Sequence, residues 1–124
     1  MPTEQLAKDS IIELIKTESN DKVELLEFKK TDGMSSRRDE VDYYQLDFEG
    51  QISYKQGGFY LGESYGKTKG FLKVVDKEPN RYAYNFHLYE KVEKDETKDI
   101  KGYIAFIKKE SGWKRNDVYM TFKK

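Results

Sequence analysis

Between Val41 and Tyr54 the chain alternates in character at every second residue. Tyr44, Leu46, Phe48, Ile52 and Tyr54 fall on one parity, and Gln45, Asp47, Glu49, Gln51 and Ser53 fall on the other. Successive side chains of an extended strand point to opposite faces, so this pattern predicts a long strand with one buried and one wet face. Gly50 interrupts the buried parity and predicts a bulge or bend there. A long half-buried strand needs neighbours on both sides and a layer over its apolar face, and the remaining residues must supply them.

One segment reads as a helix, residues 3–18. Thr3 is suited to the N-cap, and Leu6, Ile11, Ile12, Leu14 and Ile15 cluster on one side at helical spacing. Ser19-Asn20-Asp21 has the turn chemistry to end it. The rest of the chain reads as strand. Val23 to Lys30 leads into a turn signal at Thr31-Asp32-Gly33, and polar Met34 to Glu40 reads as a loose hairpin tip. After the long strand, residues 57–70 hold five of the nine glycines and read as a loop or a short edge hairpin. Phe71 to Val75 predicts a short strand. Tyr82, Tyr84, Phe86 and Leu88 alternate with Ala83, Asn85, His87 and Tyr89, Glu90 to Asp99 reads as a charged turn, and Ile100 to Lys108 alternates again. Glu110-Ser111-Gly112 is a tight turn, and Trp113 to Phe122 closes the chain with Val118, Met120 and Phe122 on one parity. Serial strands joined by short polar turns predict an antiparallel meander. The expected fold is α+β: one N-terminal helix packed on a curved antiparallel sheet, a single domain over residues 1–124, with Gly50 and Gly102 helping the sheet to bend.

Composition narrows the class. Aromatics are 15% of the 124 residues against 36% hydrophobic overall, so much of the core must be aromatic. Charged residues are 37% and balance to zero, yet residues 1–50 carry seven bases against thirteen acids and the remainder the reverse excess. Interleaved halves neutralise one another, which argues against nucleic acid as a partner. With no cysteine, thiol nucleophiles, disulfides and thiolate metal sites are excluded. No apolar run reaches the roughly 18 residues of a membrane span. Met1-Pro2-Thr3-Glu4-Gln5 lacks the pattern of a signal peptide, so the chain as it stands points to the cytoplasm, with export left open.

The helix, the segment Phe28-Lys29-Lys30-Thr31-Asp32-Gly33, the strand Tyr44-x-Leu46-x-Phe48-x-Gly50-x-Ile52, and Gly102-Tyr103-Ile104-Ala105-Phe106 with Gly112-Trp113 together resemble the cystatin-like and nuclear-transport-factor-like cone superfold. More narrowly, they resemble its small bacterial domains without an established function. The likeness spans most of the chain and rests on patterning and turns. Enzymes of that superfold resemble a longer chain with several N-terminal helices around a pocket, whereas the helix here carries no Tyr, His or Asp on its apolar stripe.

Few residues offer chemistry. Gly62-Glu63-Ser64-Tyr65-Gly66-Lys67-Thr68 resembles a phosphate loop, but it has three residues between its glycines where four are needed and lacks a strand–loop–helix setting. His87, the one histidine, cannot form a histidine metal site alone and reads as structural. Asp47 and Glu49 lie two apart on one strand face, roughly 6.5–7 Å from each other, and read as the wet face of the sheet. Asp39, Glu40 and Asp42 lack the spacing of a calcium loop. No metal, cofactor or catalytic set is predicted.

The tyrosines are the unusual feature. Tyr43, Tyr60, Tyr65, Tyr89, Tyr103 and Tyr119 lie off the parities assigned to the core, as expected for half-wet strand faces or for an aromatic surface patch. The candidate binding set is Tyr60, Tyr65, Lys67, Lys69, Tyr89 and Tyr103, with the glycine-rich segment first. The leading reading is a non-catalytic binding or interaction module that presents a tyrosine-rich surface or shallow cleft to a protein or a small ligand. The alternative is a small cone-fold enzyme that moves protons with Tyr and Asp or Glu around an apolar ligand. A third reading is nucleic-acid binding through the basic second half with its tyrosines and Trp113. An open sheet with an aromatic face leaves monomer and homodimer both open.

Overall fold

The computed structural model describes residues 2–61, 70–82 and 89–123. Helix α1 covers Glu4–Glu18. Its first turn is capped by Thr3, whose hydroxyl accepts from the backbone N–H of Leu6 at 3.0 Å. It ends where Ser19 closes the last turn, and Asn20 and Asp21 then take left-handed backbone angles. Ser19 Oγ accepts from Val23 N at 3.1 Å and so fixes the entry into the first strand.

Ala7, Ile11 and Ile15, one every fourth residue, form the buried helix stripe, with Leu14 beside it. The stripe expected from spacing is wider: Leu6 and Ile12 lie on the solvent side instead.

Strands β1 (Val23–Arg38), β2 (Val41–Tyr54), β5 (Thr97–Lys109) and β6 (Gly112–Phe122) form one antiparallel sheet in the order β1-β2-β5-β6. The elements between β2 and β5 make a second, two-stranded sheet from β3 (Gly58–Leu61) and β4 (Tyr89–Val92). The fold is α+β with a single helix on the sheet. The order departs from a simple meander, because β3 and β4 leave the main sheet and return the chain to β2.

Several local expectations change. Thr31-Asp32-Gly33 does not turn: β1 runs on through it to Arg38, with a register shift between Lys30 and Asp32. Gly33 is needed for packing, since the Tyr44 hydroxyl occupies the space of a Cβ there. The hairpin tip shrinks to Asp39 and Glu40, both at positive φ (51° and 65°). Phe71 to Val75 is not a strand but a 3-10 turn at Gly70–Leu72 followed by a single bridge between Val75 and Phe59. The charged stretch after Leu88 contains β4, and β5 begins at Thr97. Tyr82 lies in an exposed turn, and Tyr84, Phe86, His87 and Leu88 lie outside the described residues.

The buried side of the main sheet follows the predicted parity: Tyr44, Leu46, Phe48, Ile52 and Tyr54 from β2, Ile100, Ile104 and Phe106 from β5, Val118 and Met120 from β6. Phe28 stacks on Phe48 at 5.0 Å between ring centres. The bulge beside Gly50 lies on β1, where Leu26 is the extra residue between Leu25 and Glu27, and the bare Cα of Gly50 admits the Glu27 carbonyl. One end of this core is completed by Tyr60 and Val92 of the second sheet together with Phe71, Leu72 and Val74 from the 3-10 turn and the segment after it.

Candidate functional site

The helix covers one face of the main sheet, and among the described residues no element packs over the other. Strand register arranges that open face in rows. Asp32, Asp47, Tyr103 and Tyr119 lie side by side across the four strands. The next row is Met34, Gln45, Ala105 and Asp117, and the one beyond is Ser36, Tyr43, Ile107 and Lys114. On the other side of the tyrosines the row is Lys29, Glu49, Lys101 and Thr121.

Tyr103 and Tyr119 stack with ring centres 5.8 Å apart and planes 21° from parallel. Together they form a ridge. Ala105 is the smallest side chain in the neighbouring row, so the surface drops beside the ridge into a hollow of about 240 Å³, edged by Tyr43, Gln45, Asn116 and Asp117. A second hollow of about 280 Å³ lies on the other side, edged by Asp47, Glu49 and Lys101.

The polar groups are held in place. The Tyr103 hydroxyl donates to Asp117 Oδ2 at 3.3 Å, and Asp117 Oδ1 accepts from Val118 N at 2.9 Å. Gln45 Nε2 donates to Asp47 Oδ1 at 3.0 Å. The Arg38 guanidinium lies 5.4 Å from the centre of the Tyr43 ring. Glu49 Oε2 pairs with Lys123 Nζ at 3.1 Å, so Asp47 and Glu49 do lie on the wet face.

Of the six sequence candidates, the three that are described do not share one surface. Tyr103 sits on the ridge. Tyr60, expected at the surface, is 1% exposed. It packs in the core against Tyr54 and donates to Glu90 Oε2 at 2.8 Å. Burial, reinforced by that carboxylate, pushes its phenol well above the usual tyrosine range. Its parity misled because β3 belongs to the second sheet, whose inner face turns toward Tyr54. Tyr89 is half-buried on β4 opposite Leu61, away from the ridge. Tyr65, Lys67, Lys69 and the phosphate-loop-like segment lie outside the described residues.

Ala105, Gln45 and Asp117 escaped the sequence reading. The signal lies in the hairpin turns: with Lys109 opposite Gly112, counting back places Tyr103 opposite Val118. A bulge at Asn116 shifts the count by one and brings Tyr119 opposite Tyr103. The parity change between Trp113 and Val118, both packed toward the core, betrays that bulge.

Among the described residues, no three His, Asp or Glu side chains converge to hold a metal, and no helix is long and apolar enough to cross a membrane. Comparison with protein-family models, curated proteins and solved structures finds no match.

Proposed function

We propose that this chain is a non-catalytic binding module whose contact surface is the open sheet face around Tyr103 and Tyr119. The observation that carries the reading is the stacked tyrosine pair standing on a face the helix leaves uncovered, with a hollow on either side. Aromatic side chains combine a large apolar area with a polar tip and are enriched where proteins bind partners or ligands. The covered side favours binding over catalysis, since Ala7, Ile11 and Ile15 bring no acid or base to the helix–sheet interface. The same reading carries a proposed kinship with the cystatin-like and nuclear-transport-factor-like superfold, supported by one helix laid on a bulged antiparallel sheet.

A small-fragment library screened by backbone amide shifts tests the contact surface. Hits that cluster on Tyr43, Tyr103, Ala105 and Tyr119, and are lost in Tyr119→Ala, are the expected result. Hits that gather elsewhere overturn the reading.

A further inference from the structure

We propose that the ligand of the open face is a neutral saccharide chain lying across the Tyr103–Tyr119 ridge with sugar rings in the two flanking hollows. The proposal rests on the reading of this face as the contact surface and names what it takes.

Charge favours a neutral ligand. The charged residues bordering the hollows are Arg38 and Lys101 against Asp47, Glu49 and Asp117. A nucleic-acid backbone needs a surplus of bases, and this surface has none. Three carboxylates against two bases come close to cancelling, and Glu49 is already paired with Lys123 and Asp117 bonded to Tyr103, so the surface holds little field for a cation either. A neutral ligand meets no net repulsion.

Hydrogen-bonding capacity favours hydroxyl groups. Arg38 only donates, Asp47, Glu49 and Asp117 only accept, and the amides of Gln45 and Asn116 do both. A surface with donors and acceptors interleaved at this density matches a ligand whose groups each donate and accept, which is what sugar hydroxyls do.

Shape favours linked rings. A pyranose ring presents an apolar side of C–H groups, and the exposed part of the stacked tyrosine pair, with Tyr119 38% exposed, is the apolar surface between the two hollows. The hollows share Tyr103 as a lining residue; one reaches Ala105 and the other Lys101, positions about 13 Å apart along β5 at the strand rise. Linked rings span that distance, and a single ring does not. A protein partner is less well matched: its interface wants roughly 800 Å² with a core poor in charge, and here charged rows begin next to the ridge.

The test uses four neutral hexasaccharides, a β-1,4-glucan, a β-1,4-xylan, an α-1,4-glucan and a β-1,4-N-acetylglucosamine chain, each titrated into the whole protein and followed by amide shifts. At least one is expected to bind with a Kd in the micromolar-to-millimolar range, to shift residues of β2, β5 and β6 on the open face, and to weaken about tenfold in Tyr119→Ala. Ala105→Leu, which fills one hollow without removing an aromatic, is expected to weaken it as well. Tyr82→Ala removes a 90% exposed ring that borders neither hollow and is expected to change nothing. If none of the four binds while fragments still cluster on the ridge, the saccharide proposal fails and the contact surface stands. Binding that Tyr119→Ala leaves intact, or that Tyr82→Ala weakens equally, also overturns it.

Discussion

Tyr54 and Tyr60 stack almost parallel, their ring planes 9° apart and their centres 5.7 Å apart, and in doing so join the two sheets. Tyr54 ends the long strand of the main sheet, and Tyr60 belongs to the small one. Both phenols are hydrogen-bonded: Tyr54 donates to the Phe71 carbonyl at 2.7 Å, and Tyr60 donates to the Glu90 carboxylate at 2.8 Å. Tyr54→Phe leaves a buried carbonyl without its donor and is expected to cost about 1–3 kcal/mol. Tyr60→Phe releases a carboxylate that water can reach and is expected to cost less, about 0.5–1.5 kcal/mol. Urea denaturation of the two variants checks the order, and a Tyr60→Phe loss larger than that of Tyr54→Phe contradicts it.

The same pair makes the fold sensitive to alkali. Burial raises both phenols above the tyrosine value, so the folded chain keeps protons that the unfolded chain releases. Below the unfolded value of about 10 the contribution is fully present, and it is lost as pH rises beyond it. Urea midpoints are expected to change little from this source up to about pH 9 and to fall above about pH 10. In the Tyr54→Phe/Tyr60→Phe double variant the alkaline fall is expected to be shallower. Tyrosinate absorbance of these two rings should appear only with unfolding.

Much of this was legible in the sequence, and the limits are physical. The alternation from Tyr44 to Tyr54 located the buried face because period two has one meaning in a strand. Thr3 and Ser19-Asn20-Asp21 located the helix because caps are local chemistry. Sheet membership is not local. Tyr60 reads like any strand tyrosine, and only the departure of β3 into a second sheet turns it inward. The open-face ridge depends on register, which one extra residue at Asn116 resets for everything beyond it. Thr31-Asp32-Gly33 carries turn residues for another reason: the glycine makes room for Tyr44, and Asp32 Oδ1 accepts from the Gly33 N–H.

Two glycines in the sheet should differ in what they tolerate. A Cβ at Gly102 would overlap the backbone carbonyl of Tyr119 on the paired strand, where nothing short of moving β6 relieves it. A Cβ at Gly33 would meet the hydroxyl end of the Tyr44 side chain rather than backbone, so a small shift of one ring relieves it without moving a strand. Gly102→Ala is expected to cost about 2–3 kcal/mol and Gly33→Ala about 1 kcal/mol. Because Tyr119 forms half of the ridge, Gly102→Ala should also shift the amide signals of Tyr103 and Tyr119, while Gly33→Ala should leave them in place. Equal losses in the two variants count against the close strand approach at Gly102.

The β1–β2 hairpin closes through Asp39 and Glu40, both in the left-handed region that most side chains avoid. A two-residue hairpin turn with both φ positive favours Asn-Gly, because Asn tolerates that region and Gly has no steric penalty there. The native Asp-Glu pair also sets two carboxylates side by side near Asp42, with Arg37 reaching Asp42 at 3.3 Å. Asp39→Asn/Glu40→Gly is therefore expected to stabilise the chain by about 1 kcal/mol, a rise in Tm of about 3–6 °C for a chain of this size. The pairing of Arg38 with Val41 should survive, so cross-strand nuclear Overhauser effects between them are the internal check. A lower Tm with those effects intact would mean that Glu40 contributes something at the tip that a glycine cannot replace. A lower Tm with those effects abolished would mean that the register of the whole hairpin, and with it the position of Met34 beside the Ala105 hollow, is set by this turn.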